Sequence, residues 1–338
     1  MTRWSDWTSE EIDGTDHGEP FLPHGTGSMR ARVDGSGTGD ASSLPPGAVA
    51  LLGIAFDENS SFSRGPAAAP AAVRAVLHSP AGNGCSESGI DLLDDGRFVD
   101  VGDLARPQPA RQAARVAVPE DPGATGPGVA DPDPGEVAAF FEQVRATVGN
   151  LLEQGARVLT LGGDHSISYP ILQAYARIRG PVEVVHVDAH PDLYDRLDGN
   201  RFSHGAPFAR IMEDHLASRL VQVGIRAGTE EQSRRASRFG VETIPMARWR
   251  PGVSLGLTGP VYLSVDIDGL DPAHAPGVSH PEPGGLSTRD LLGLIQGLRV
   301  PLIGADIVEI NPRRDPAGLT AAVGAKLVKE IAAAMLAG

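Results

Sequence analysis

Residues 182–192 read VEVVHVDAHPD. The first six are almost unbroken apolar and β-branched, the composition of a strand covered on both faces. The run then breaks into Asp188, His190 and Asp192. In extended backbone, residues i, i+2 and i+4 share a face, so these three side chains converge just past the strand end. Crowded together without a cation, they would repel one another and lose solvation at a cost. The stretch therefore reads as a buried parallel strand delivering metal-capable groups to its carboxyl end, where open α/β sheets bind ligands.

The same reading extends outward. Apolar runs at 48–55, 98–102, 157–163, 220–225, 261–268 and 302–310 read as further strands, with a short eighth at 241–244. Between them lie helical patterns at about 66–78, 136–154, 168–179, 205–217, 229–239, 287–298 and 319–337. The clearest is 136–154, where Val137, Phe140, Phe141, Val144, Val148, Leu151 and Leu152 make one stripe. This alternation predicts an α/β fold, a mostly parallel sheet with helices on both faces. Residues 1–44, rich in Gly, Ser, Asp and Glu, read as an N-terminal arm, flexible or in contact with another subunit, before a single domain at 45–338. The Pro/Gly-rich stretch at about 106–135 reads as a surface loop within that domain.

Bulk properties narrow the function. The chain has 338 residues, 41% of them hydrophobic, and a formal net charge of −14. Nucleic acid is disfavoured as a partner, because phosphate binding needs clustered cations; a small cationic substrate suits the balance. No apolar run approaches the ~18 residues of a membrane span. The beginning MTRWSDWTSEEIDG lacks the basic and apolar regions of a secretory signal. The lone cysteine, Cys85, permits no intrachain disulfide. These points predict a cytoplasmic protein.

Three more strand ends carry chemistry. His165 follows the glycine pair of Gly162-Gly163-Asp164-His165-Ser166. Asp266 and Asp268 share a face at the end of the run 261–268, and like charges projecting from a core strand need compensation. Glu309 ends the strand in ADIVEINP. The set His165, Asp188, His190, Asp192, Asp266 and Asp268 exceeds the four ligands of a tetrahedral zinc site. Carboxylates with some imidazole suit Mn²⁺ at higher coordination number, and Ni²⁺ also fits such ligands. Two ions about 3.5–4 Å apart would use the whole set and activate water at neutral pH.

GGDHS, DAHPD and SVDIDGLDP, in this order on these strands, resemble the ureohydrolase family of arginases, agmatinases and relatives, over roughly residues 48–338. DAHPDLYDRLDGNRFSHGAPFARIME, PGVSHPEPGGLS and NPRRDPAGLTA most resemble the agmatinase-like group that includes the plant arginases. The resemblance implies a three-layer α/β/α domain around an eight-stranded sheet, the fold shared with zinc deacetylases, in a homo-oligomer, trimeric or hexameric. It implies two Mn²⁺ per subunit. His165 and Asp192 would bind one ion, His190 the second, and Asp188, Asp266 and a bridging Asp268 would complete the pair. His204 matches the family's proton-shuttle histidine and Glu309 its guanidinium-binding carboxylate; Asp268 would also hold the attacking hydroxide. The implied reaction is hydrolysis of a guanidino compound to urea and an amine. Agmatine, giving putrescine, ranks first; arginine, guanidinobutyrate, guanidine and formimino-glutamate follow. One position departs: Tyr194 stands where many animal-type arginases carry an Asn that helps bind the α-carboxylate. A single-zinc deacetylase and a non-catalytic metal-binding protein are the competing readings. His186, alternating with Asp188, reads as a supporting residue; His274 and His280 read as structural residues near the pocket mouth.

Overall fold

The eight apolar runs form one sheet in the order β2-β1-β3-β8-β7-β4-β5-β6. The strands are β1 (Val49–Gly53), β2 (Phe98–Asp103), β3 (Arg157–Leu161), β4 (Val182–Val187), β5 (Ala217–Val223), β6 (Glu242–Ile244), β7 (Val261–Asp266) and β8 (Leu302–Val308). Every neighbouring pair is parallel. The structure is a computed structural model that describes residues 44–104 and 133–338. The expected N-terminal arm and most of the Pro/Gly-rich loop lie outside the described residues.

Parallel strands need crossovers, and the helices supply them. They are α1 (Ala69–Leu77), α2 (Pro134–Glu153), α3 (Ser168–Arg179), α4 (Pro207–Glu213), α5 (Glu230–Phe239), α6 (Thr288–Gly297) and α7 (Leu319–Ala337). Strand residues alternate between two cores. Leu159, Leu161, Val185 and Val187 pack with Val73 of α1, Leu291 and Ile295 of α6, and Leu327 and Ile331 of α7. Val158, Val184 and Tyr262 face Phe140 and Val144 of α2, Ile171 and Tyr175 of α3, and Phe208 of α4. The layers are thus α/β/α, as the resemblance implies. Among the described residues no helix is long and apolar enough to cross a membrane.

Helix boundaries follow local chemistry. Asp133 caps α2 by accepting from the Gly135 amide, with Pro134 at the first position, so the last residues of the expected loop already belong to the helix. Thr229 with Gln232, and Ser287 with Asp290, form capping boxes for α5 and α6. The helical pattern read at 205–217 is shorter, ending at Glu213. There His215 turns the chain with a positive φ of 54°. The freed residues let β5 begin at Ala217, three residues before the apolar run at 220–225.

Candidate metal centre

Four adjacent strands of the sheet, β3, β8, β7 and β4, end side by side and carry every expected ligand. After β3 the chain turns through Gly162 and Gly163, where a Cβ on Gly163 would overlap the Phe56 carbonyl. His165 follows in a short 3₁₀ turn capped by Asp164, which accepts from the Ser166 amide. Burial, and next the charge of Glu309, push Asp164 up to about 7. Asp192 and Glu309 both have positive φ, 51° and 63°. Such backbone is costly for residues with side chains and persists where the surroundings over-determine it.

The side chains form two groups. His165 Nδ1 lies 3.3 Å from Asp188 Oδ2, 3.1 Å from Asp192 Oδ2 and 3.2 Å from Asp266 Oδ2. His190 Nδ1 lies 3.4 Å from Asp188 Oδ1 and 3.2 Å from Asp268 Oδ2. Asp188 is the residue common to both groups, one oxygen to each. The Asp268 carboxylate, expected from the resemblance to bridge, faces the His190 group in this geometry, and Asp188 lies between the two groups. The reason lies in the turns. Asp268 sits in the 3₁₀ turn beyond β7, and the Ala189 amide holds its other oxygen at 3.1 Å.

The donor set fits divalent cations. Asp266 offers Oδ2 while its Oδ1 accepts the Asp268 amide at 2.9 Å. Asp268 likewise has one oxygen on backbone and one facing His190. Asp188, Asp192, Asp266 and Asp268 are all buried. Burial first, then neighbouring carboxylates, push Asp192, Asp266 and Asp268 above the ordinary carboxylate range. That repulsion is what bound cations would relieve. Burial lowers His165 and His190, but the aspartates outweigh it, holding His165 well above its usual value and His190 at about 12.

Behind the ligands lies support that the motif reading passed over. His165 Nε2 is 2.9 Å from Ser264 Oγ, which donates to Asp306 Oδ1 at 2.6 Å. With the serine proton committed to Asp306, its lone pair accepts from His165 Nε2–H, leaving Nδ1 for the metal side. Asp306 also accepts from Tyr262 and Ser168. Spacing carried a signal here: Ser264 stands two residues before Asp266, on the same strand face. Asp271 accepts amides of Ala273, Gly284 and Gly285 and so shapes the turn beyond β7.

Glu309 and His204 adjoin the two groups. Glu309 Oε1 accepts from the His165 amide and faces His204 Nδ1, both at 2.9 Å. Its Oε2 is buried with no hydrogen-bond partner among the described residues. Burial lowers His204, but Glu309 overcomes it and lifts the imidazole to about 9. His204 Nε2 meets Ser61 Oγ at 2.9 Å, and Ser61 is exposed. His280, read from sequence as structural, instead faces the site, its ring 5.1 Å from His204 and 6.2 Å from His190. Burial, and next the charge of His204, lower His280 to about 4. Phe62, largely exposed, lies 5.7 Å from His280, and the Arg314 guanidinium lies 6.0 Å from the Phe62 ring. Among the described residues Arg314 has no ion-pair partner. His274 is exposed and lies beside Thr288.

The chain is similar to known proteins over most of its length. A family model described as the arginase family matches residues 47–334. Mitochondrial arginase 1 of Arabidopsis thaliana is 43% identical over 293 residues, covering 84% of this chain and 80% of the relative. Mitochondrial agmatinase of Gallus gallus is 41% identical over 204 residues, 56% of this chain and 60% of the relative. The solved arginase from Medicago truncatula superposes with a TM-score of 0.71 at 37% identity, covering 85% of this chain and 87% of that one. The matched span holds the ends of β3, β4 and β7 with the metal-capable residues and extends past Glu309 after β8, and the chain belongs to the arginase family, also called the ureohydrolases.

Proposed function

We propose that the protein hydrolyses the guanidino C–N bond of L-arginine, releasing urea and ornithine, with two divalent cations, Mn²⁺ by preference, held by His165, Asp188, His190, Asp192, Asp266 and Asp268. The observation that carries the reading is Glu309 Oε2, a buried acceptor with no hydrogen-bond partner among the described residues, beside the metal-capable groups. A guanidinium is planar, permanently charged and rich in N–H donors, the complement of such a carboxylate. Docked there, its carbon would be held at a fixed distance and plane relative to the two groups. Bound cations would supply Lewis acidity and an activated water at neutral pH. His204 would move the proton: its Nδ1 faces Glu309 and its Nε2 reaches exposed Ser61, a route from site to solvent. Asp268 would orient the attacking water through the oxygen it turns toward His190.

Two features support arginine over agmatine, the reverse of the ranking drawn from sequence. Similarity to arginases spans 84% of the chain, against 56% for the agmatinase. Arg314, exposed and with no ion-pair partner among the described residues, lies 6.0 Å from the Phe62 ring, which in turn neighbours His280. A cation there suits a substrate ending in a carboxylate and disfavours agmatine's terminal amine. The net charge of −14 favours the second reading, a purely cationic substrate.

The test is to strip the purified protein, reload it separately with Mn²⁺ and Ni²⁺, and measure urea from arginine, agmatine, guanidinobutyrate and guanidine. Arginine is expected to give the highest kcat/KM, in the Mn²⁺ form. A higher value for agmatine replaces the substrate and keeps the reaction. Absence of urea from all four overturns the proposal.

A further inference from the structure

Beneath the metal-capable groups, a row of polar residues crosses the sheet in register. Asp306 of β8 pairs with Ser264 of β7, Ser264 with His186 of β4, and His186 with Gln222 of β5. Ser264 and Asp306 serve His165. The other half of the row has no place in the chemistry described so far, although His186 and Gln222 are both fully buried.

Hydrogen bonding leaves this half one arrangement. Gln222 Nε2 lies 2.7 Å from the Pro191 carbonyl and 3.0 Å from His186 Nδ1. A carbonyl only accepts, so the amide nitrogen must face Pro191; turning the amide over would set two oxygens against each other. The second Nε2 proton points at His186 Nδ1, which must offer a lone pair. The imidazole proton therefore sits on Nε2, 2.8 Å from Asp188 Oδ2. Phe208 stacks on the ring with centroids 3.8 Å apart and planes 21° apart, so the ring does not turn away. Asp188 is the carboxylate shared by both groups, and its Oδ1 is held by the His190 amide at 2.6 Å.

We infer that Gln222 is a positioning residue for the metal centre: it sets the His186 tautomer, and His186 Nε2–H in turn fixes the Asp188 carboxylate so that its oxygens serve one ion each. Gln222 also ties this device to the ligand loop, since Pro191 lies between His190 and Asp192. The inference rests on reading the two groups as metal ligands.

The test uses the full-length chain with Mn²⁺ alone as the probe. Manganese dissociation constants and ions retained per chain are measured for wild type, Gln222→Leu, Gln222→Glu, His186→Phe and His186→Gln. Removing a support of this kind weakens metal binding by about 10–100-fold. Gln222→Leu and His186→Phe are expected to show that loss, His186→Gln to recover part of it by restoring an N–H, and Gln222→Glu to be the weakest. In parallel, two-bond ¹H–¹⁵N correlations on the metal-free wild-type chain are expected to show the His186 proton on Nε2. A proton on Nδ1 overturns the inference even where the variants fail to fold. Unchanged Mn²⁺ affinity in folded Gln222→Leu overturns it as well. If wild type binds no divalent cation, the metal reading itself falls; if wild type binds and Gln222→Leu binds equally, only the role of Gln222 falls.

Discussion

Glu309 has its two oxygens in different circumstances, one held by the His165 amide and His204, the other buried and unmatched. Replacing it by Gln keeps the shape and removes the charge. Glu309→Gln is expected to retain its metal ions and lose about 10–100-fold in kcat/KM, the scale of a hydrogen bond to a charged group. Metal content together with steady-state rates checks this, and wild-type turnover would remove Glu309 from substrate binding. The shared position of Asp188 separates it from Asp268. Asp188→Ala is expected to lose both ions, whereas Asp268→Ala keeps an ion on the His165 side; elemental analysis per chain distinguishes the two. His204 gives a pH signature in the metal-free protein. Its folded pKa of about 9 lies above its ordinary 6.5, so its contribution to stability is complete below that lower value and is lost as pH rises through the upper one. The stability gap between wild type and His204→Asn, followed by urea unfolding, is expected to be widest below about pH 6.5, to narrow as pH rises from there, and to close above about pH 9. A gap that stays level across that range would contradict the His204–Glu309 pairing.

Elements were legible in proportion to their burial. The strands β3, β4, β7 and β8 lie inside the sheet, covered on both faces, and their continuous apolar runs announced them. The edge strand β6, three residues long and partly exposed, was legible only as a short apolar-polar stretch. Helix α4 was read too long because apolar periodicity continues through Leu216, while the turn at His215 depends on local backbone that no periodicity encodes. Turns at the strand ends set the ligand positions, and Gly224 is the sharpest case. Its φ is +97°, and a Cβ there would lie 2.9 Å from the Asp188 carbonyl. Gly224→Ala is expected to cost about 1–3 kcal/mol of stability and to weaken Mn²⁺ binding by moving Asp188. Chemical denaturation and metal titration check the two parts, and a neutral substitution would show that the turn relaxes freely.

At the scale of the whole molecule, the sheet order brings β3, β8, β7 and β4 side by side, so motifs separated by more than a hundred residues become one centre. The same folding brings Phe62, His280 and Arg314 together beside His204, three residues with no common motif. Charge reversal there tests the substrate directly. Arg314→Glu is expected to lower the arginine-to-agmatine ratio of kcat/KM by about tenfold at low salt, through KM more than kcat, with metal content unchanged. An unchanged ratio would take Arg314 out of substrate choice. The fold class, and the strand ends that carry the metal-capable side chains, were legible in the chain alone, because hydrophobic period and side-chain chemistry are local properties. Only the folded chain shows that Asp188 lies between the two metal-capable groups, that Gln222 and Asp306 stand behind them, and that His280 neighbours His204. Those relations depend on strand order and register between distant segments, which no local pattern records.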